Sequence, residues 1–218
     1  MSDAEREKRI AAEAAAALVE GGQRVGLGTG STVAYLLPAL AERKLDLVCV
    51  ATSPATEREA RALGLRVEPF DRLDALDIAI DGADQVAPDG WLVKGGGGAH
   101  TREKIVAAAA RRFVVIVSSD KLVDRIEPPV PLELLSFGLA ATLARLGPAK
   151  LRDAPPSPDG GVIADYTGPV ADPAQLASRL AATPGVVDHG LFAPELVSEV
   201  VVGREGGAER IAVSTPRS

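Results

Sequence analysis

Short apolar runs, each too brief for a helix, recur through the first half of the chain at residues 24–28, 45–51, 76–80 and 113–117, with a lesser one at 65–67. Helical spacing or helix-capping residues separate them. Strands that are apolar along most of their length, rather than at alternate positions, are buried on both faces. This constrains the chain to a parallel sheet covered by helices on either side, the α/β class. A leading helix reads over residues 2–20, opened by Ser2 and Glu5 in capping-box spacing and stopped by Gly21-Gly22. Further helices are expected at 33–43, at 54–63 between Pro54 and Gly64, and at 101–112.

A cluster of prolines, Pro128, Pro129 and Pro131, interrupts this alternation and reads as a domain boundary. Beyond it the pattern predicts strand 130–135, helix 136–146, strands 149–152 and 161–166, helix 173–182 and strand 186–191. That order, βαββαβ, is ferredoxin-like. Segments 196–202 and 210–213, joined through Gly206-Gly207, are expected to return to the first sheet. The expected division is a Rossmann-like domain of residues 1–127 plus 196–218 and a smaller ferredoxin-like α+β domain of residues 128–195.

Composition narrows the function classes. A net charge of −6 argues against nucleic acid as a partner, because that affinity comes from Lys and Arg neutralising phosphates. No run approaches the length of a membrane span, and the first ten residues lack the apolar core of a signal peptide. Cys49 is the only cysteine and lies in an apolar run, which suits a buried side chain in a reducing cytoplasm. The expected partner is a small molecule.

Two glycine-rich stretches carry the chemistry. Gly26-Leu27-Gly28-Thr29-Gly30-Ser31-Thr32 turns a strand into a helix. Glycine backbone approaches a ligand closely, and a helix N-terminus offers N–H groups and a positive dipole end, which together suit a phosphate. Thr29, Gly30, Ser31 and Thr32 are the candidate contacts. The spacing matches neither the dinucleotide fingerprint nor a P-loop. A tight turn with Ser31 as N-cap explains the same residues without a ligand.

The second stretch begins at the end of a strand with Asp81-Gly82-Ala83-Asp84, where ligands bind in open α/β sheets, although Asp and Gly also make ordinary turns. Lys94 follows, then Gly95, Gly96, Gly97 and Gly98, whose N–H groups can hold a developing oxyanion. Glu103 falls in the first turn of the next helix, with Thr101 as its expected N-cap. The helix dipole favours an acid there and keeps it ionised, as a general base must be. Lys121, closing Ser118-Ser119-Asp120-Lys121, is either a second phosphate contact or a surface lysine. His100 and His189 are isolated and read as structural. A phosphate anchor, a carboxylate base, a lysine beside backbone donors and two more carboxylates suit proton abstraction next to a sugar carbonyl. The sequence shows no metal-ligand cluster, so no metal or cofactor is expected, and protein dipoles and charge would stabilise the enediolate.

GLGTGST at 26–32, DGAD at 81–84, KGGGGAHTREKIV at 94–106, SSDK at 118–121 and PGVVDHGLF at 184–192 together resemble the type A ribose-5-phosphate isomerases. The likeness runs from Lys8 to the C-terminal region. It implies reversible conversion of D-ribose 5-phosphate to D-ribulose 5-phosphate without a metal, in the pentose phosphate pathway, by a homodimer. By position it makes Glu103 the base, Asp81 the group that assists ring opening and hydroxyl proton transfer, and Asp84 and Lys94 the groups that orient the open chain and stabilise the enediolate. Residues 29–32, Lys121 and Lys8 would hold the phosphate, and Gly82, Ala83, Gly95, Gly96 and Gly97 would line the sugar. Three departures stand out: Gln85 after DGAD, Thr52-Ser53-Pro54-Ala55-Thr56 after the second strand, and the absence of a Gly-Asn pair within 160–165. The rival readings are a related sugar-phosphate isomerase or amino-sugar deaminase, and a non-catalytic sugar-phosphate sensor.

Overall fold

The computed structural model describes residues 2–213. In chain order the elements begin with α1 (Asp3–Ala16), β1 (Arg24–Leu27), α2 (Val33–Glu42), β2 (Val48–Ala51), α3 (Pro54–Ala62) and β3 (Leu76–Asp81). Then come β4 (Gln85–Val86), β5 (Leu92–Val93), α4 (His100–Ala109) and β6 (Ala110–Ser118). β7 (Val130–Leu134), α5 (Leu139–Leu146), β8 (Ala149–Leu151), β9 (Val162–Tyr166), α6 (Pro173–Ala181) and β10 (Val186–His189) follow. The chain closes with β11 (Leu191–Phe192), β12 (Glu199–Arg204) and β13 (Gly207–Ala212). The described residues divide into two compact units, 2–83 with Arg102–Leu122 and 194–213, and Asp84–Thr101 with Val123–Ala193. Residues 214–218, assigned by sequence to the larger domain, lie outside the described residues.

The first unit is built on a six-stranded sheet in the order β13-β12-β6-β3-β1-β2, parallel except for the antiparallel edge strand β13. From β1 the chain crosses to β2 on one side and then to β3 on the other, so the switch point falls between β1 and β3. Ligands bind at the carboxyl ends of strands at such a point. Here those ends are Leu27, leading into Gly28, and Asp81. On one face of the sheet Ala11, Ala12, Ala15 and Ala16 of α1 and Leu36, Leu37 and Leu40 of α2 pack against Val25, Leu27, Ile78, Ile80, Val114 and Ile116. The small alanines bring α1 close to the sheet. At Gly203 of β12 a Cβ would stand 1.8 Å from the Glu7 carbonyl oxygen, so glycine is required there.

Cys49 lies wholly inside this core, as expected of it, and burial pushes its thiol pKa up to about 11. The thiolate is the reactive form. A disulfide reagent at pH 8 should therefore titrate no thiol in the native protein and one after denaturation; fast native labelling would contradict this burial.

The second unit contains an antiparallel sheet in the order β10-β7-β9-β8. Its elements run β7-α5-β8-β9-α6-β10, the βαββαβ order expected from sequence. Leu146 of α5 and Leu176 and Leu180 of α6 bury against Val130, Leu132, Leu134, Ala164 and Tyr166. Asp172 caps α6 by accepting the Gln175 N–H at 3.0 Å, with Pro173 at the first helical position. A second, three-stranded sheet, β11-β5-β4, completes the unit. Residues 84–101 therefore belong here and not with the larger domain, because β4 and β5 pair with β11.

Several boundaries differ from the sequence expectation for local reasons. α1 stops at Ala16 rather than reaching residue 20, because the Arg43 guanidinium takes the carbonyls of Ala16 and Val19. Residues 65–67 make only a bridge, Cys49 to Val67. Residues 110–112, expected as helix, are strand, since Ala110 and Arg112 pair with Leu76 and Ile78 of β3; tertiary pairing overrides helix propensity. α5 starts at Leu139, behind Gly138 in the left-handed region. The strand expected at 186–191 breaks at Gly190, whose N–H bonds to the Pro131 carbonyl at 2.7 Å while its own carbonyl accepts the Lys94 N–H at 2.9 Å. The last pair runs 199–204 and 207–212 and returns to the large sheet. Among the described residues no helix is long and apolar enough to cross a membrane.

Candidate active site

In the first unit the glycine turn and the first carboxylate meet at the switch point. Asp81, the last residue of β3, accepts the N–H of Thr29 at 3.1 Å and that of Gly82 at 2.7 Å, both on Oδ1. Gly28 makes this possible: a Cβ there would stand 1.9 Å from the Asp81 carboxyl carbon. Thr29 Oγ1 lies 2.8 Å from Thr52 Oγ1, and Thr56 Oγ1 donates to the Gly28 carbonyl at 2.9 Å. Thr52-Ser53-Pro54-Ala55-Thr56, which departs from the family pattern, thus keeps the hydroxyls that support the turn. Ser53 caps α3.

Ser31 is not the N-cap of α2. The helix starts at Val33 behind Thr32, with no side-chain cap. The Ser31 hydroxyl instead accepts from Lys8 Nζ at 2.9 Å, which brings a cation of α1 onto the turn. Gly30 has φ +126°, a conformation other residues rarely adopt, and is exposed. Thr32 Oγ1 would be 3.9 Å from a Cβ on Gly82, so the turn also borders the start of DGAD, whose Ala83 is half-buried. Lys121 sits on the turn after β6 and pairs with Asp120 at 3.3 Å. Ser118's hydroxyl, acting more strongly than the Lys121 charge, holds the Asp120 carboxyl below its usual range. Glu7 of α1 anchors that turn, accepting from Ser119 N and Oγ, each at 2.7 Å. Adjacent residues of α1 therefore hold both loops of the proposed phosphate group. Glu103 is in the first turn of α4 and 4% exposed.

The second unit carries the other candidates. Asp84 is exposed and accepts the Gly96 N–H at 2.8 Å. Lys94 is 2% exposed, and its ammonium lies 5.5 Å from the centre of the Phe192 ring. Gly95 has φ +108° and room for no Cβ, which would fall 2.7 Å from His100 Nδ1 and 2.8 Å from Pro131 Cβ. Gly96 and Gly97 are exposed, whereas Gly98 is buried. Gln85, the departure after DGAD, exchanges two hydrogen bonds with the Glu127 backbone at 2.8 and 2.9 Å and is structural. Thr101 is not an N-cap either, since α4 begins at His100; its hydroxyl donates to Glu133 at 2.5 Å. His100 and His189 are both buried, and His189 Nδ1 accepts the Leu191 N–H at 3.3 Å.

Asp81, Lys94 and Glu103 are at most 4% exposed. Removing a charge from water costs several kcal/mol before any partner repays it, which makes buried charge a poor device for stability alone. Such groups concentrate where chemistry needs them. Among the described residues no group of three His, Cys, Asp or Glu side chains is placed to hold a metal ion.

Sequence reasoning missed Glu7, Thr52, Thr56, Glu133 and Arg152. Arg152 pairs with Asp165 and also reaches the glycine run. The Asp165 hydrogen bond, outweighing burial, raises its guanidinium pKa.

The fold and these side chains define the class: an aldose–ketose isomerase on an open α/β sheet. The family model for ribose 5-phosphate isomerase A (phosphoriboisomerase A) matches residues 48–207. The ribose-5-phosphate isomerase A of Caulobacter sp. (strain K31) is 44% identical over 223 residues, covering 95% of this chain and 98% of its own. The chain belongs to the ribose 5-phosphate isomerase A family. Among solved structures, ribose 5 phosphate isomerase A from Neisseria gonorrhoeae superposes with a TM-score of 0.93 at 31% identity, covering 99% of this chain and 100% of its own. A D-ribose-5-phosphate isomerase in complex with phospho-erythronic acid gives a TM-score of 0.91 at 34% identity, covering 97% and 100%.

Proposed function

We propose that the chain interconverts D-ribose 5-phosphate and D-ribulose 5-phosphate through an enediolate, in the pentose phosphate pathway. Glu103 removes the proton from C2 of the open-chain aldose; the C2–H electrons form the C1=C2 bond and the carbonyl electrons move to O1. The same carboxyl returns its proton to C1, the C2 carbonyl forms, and the O2 proton passes to O1. Asp81 serves ring opening and the hydroxyl protons. Asp84 and Lys94 orient the chain and offset the charge on the enediolate oxygens, with Gly82, Ala83, Gly95, Gly96 and Gly97 along the sugar. Thr29, Gly30, Ser31, Thr32, Lys8 and Lys121 hold the phosphate.

The observation that carries this reading is the Asp81 carboxylate bonded to the backbone of the glycine turn, with Lys8 on the same turn. One short ligand can then meet an acid and a phosphate cradle together. Chain connectivity supports the remainder, since Gly82-Ala83 alone separates Asp81 from Asp84 and Arg102 alone separates Thr101 from Glu103. Phospho-erythronic acid, bound by the related enzyme, is an aldonic acid whose carboxylate carries two oxygens much as an enediolate does.

We also propose a cytoplasmic homodimer with neither nucleic acid nor membrane as partner, a reading supported by the net charge of −6 and the buried single cysteine. The test of function is a coupled assay of ribose 5-phosphate with excess chelator. Ketose formation at the same rate with and without chelator is expected. No ketose from folded protein would refute the isomerase, and metal dependence would refute the metal-free mechanism.

A further inference from the structure

One side chain with no local sequence signature bonds to two successive carbonyls of the glycine run. Arg152, immediately after β8, forks onto Asp165 of β9, with Nε 3.0 Å from Oδ2 and Nη2 2.5 Å from Oδ1. That pairing fixes the guanidinium plane and leaves Nη1, which donates to the carbonyls of Gly95 at 2.9 Å and Gly96 at 3.1 Å. In a trans peptide the C=O and N–H point opposite ways. Drawing two successive carbonyls to Arg152 therefore turns the N–H groups of Gly96 and Gly97 away from it. The Gly96 N–H accordingly meets Asp84 Oδ2 at 2.8 Å.

Such control is needed here. Glycine peptides rotate through regions closed to other residues, and four in a row have no side chains to hold them. A hydrogen bond from Gly98 N to Gly95 O at 3.0 Å closes the turn but leaves the Gly96 carbonyl to Arg152. The bidentate geometry requires arginine, since lysine offers a point charge on a flexible stem.

We propose that Arg152 is a positioning residue for the isomerisation. Held by Asp165, it fixes the 95–96 and 96–97 peptides so that the Gly96 N–H holds Asp84 and the Gly97 N–H, with Asp84, meets the open-chain sugar. It acts through the backbone, without touching the substrate. This rests on the reading above that the glycine run lines the sugar.

The test compares R152A, R152K and D165N with the unsubstituted protein, using ribose 5-phosphate with hydrogen or deuterium at C2 and inhibition by phospho-erythronic acid and by inorganic phosphate. In R152A kcat should fall about 100-fold, as a misplacement of about 1 Å can produce. The C2 deuterium isotope effect should rise, phospho-erythronic acid should bind more weakly, and inhibition by phosphate should stay within about twofold, because that contact is made elsewhere. R152K should recover only part of the rate, and D165N, which keeps the cation and loses its anchor, should fall between. Wild-type kcat and isotope effect in folded R152A, even at a lower Tm, would assign Arg152 a purely structural role and overturn the proposal alone. If R152A does not fold, R152K and D165N decide: reduced kcat in both supports it, and wild-type kcat in both overturns it. Absence of turnover in the unsubstituted protein overturns the functional reading, and the proposal with it.

Discussion

Glu103→Gln is expected to abolish exchange of the substrate's C2 proton with solvent and to lower kcat by about 10³-fold, within the 10²–10⁴ that a positioned general base contributes. The amide keeps the size and most of the hydrogen bonding of the carboxyl but cannot accept the proton. Glu103 is buried in the first turn of α4, where the helix dipole favours the anion and so opposes the penalty of burial. Phosphate affinity should hardly change, because the residues proposed for it are Lys8, Lys121 and the 29–32 turn. Inhibition by inorganic phosphate measures that separately. Exchange at the original rate in folded E103Q would assign the base to another group.

Gly28→Ala should have the second large effect, for a steric reason. Its Cβ would stand 1.9 Å from both the carboxyl carbon and Oδ1 of Asp81, and 2.5 Å from the Asp81 Cβ. A clash with the root of a buried side chain cannot be relieved by moving a flexible end. Overpacking of this kind costs about 1–3 kcal/mol, which for a chain of this size lowers Tm by roughly 2–12 °C. The Asp81 carboxylate must shift, losing its bond from Thr29, so kcat/KM should fall at least about 100-fold. Gly206→Ala is the control, since a Cβ there meets nothing within 4 Å. Wild-type turnover in G28A would mean that Asp81 can move without consequence, contrary to the role given it.

Sequence made some of this legible and hid the rest for identifiable reasons. The inner strands of the large sheet, β1, β3, β6 and β12, are largely buried on both faces, so their apolar runs stand out; the ferredoxin-like order is readable because its helices and strands are separated by glycine and proline. Residues 110–112 read as helix because Ala-Arg-Arg favours a helix locally, while the pairing with β3 that makes it strand comes from more than thirty residues earlier. Residues 84–101 read with the larger domain, whereas they pack in the second unit, because two-residue strands such as β4 and β5 have no periodicity and their partner β11 lies near residue 191.

The candidate site divides the same way. Gly95, Gly96, Gly97 and Gly98 were conspicuous because a run of glycine is costly, and Asp81 because it ends an apolar strand. Arg152 was invisible: it reaches the run across 57 residues of chain from Gly95, and nothing around it marks it apart from a surface arginine. Ser31 and Thr101 were given the local role their residue types favour, helix capping, whereas their hydroxyls serve Lys8 and Glu133. Short-range signals identify the residues that shape a loop, and only the folded chain shows which distant side chains hold it.

The most direct measurement is proton NMR of ribose 5-phosphate incubated with the protein in D2O under excess chelator. D-ribulose 5-phosphate should appear until the two sugars reach equilibrium, with deuterium incorporated at C1 of the ketose and, through the reverse reaction, at C2 of the aldose. Conversion and exchange should both vanish in E103Q. Recovery of unlabelled, unconverted ribose 5-phosphate from folded protein would contradict the proposed activity. Conversion without any deuterium in either sugar would contradict an enediolate whose proton passes through a solvent-exchanging carboxyl.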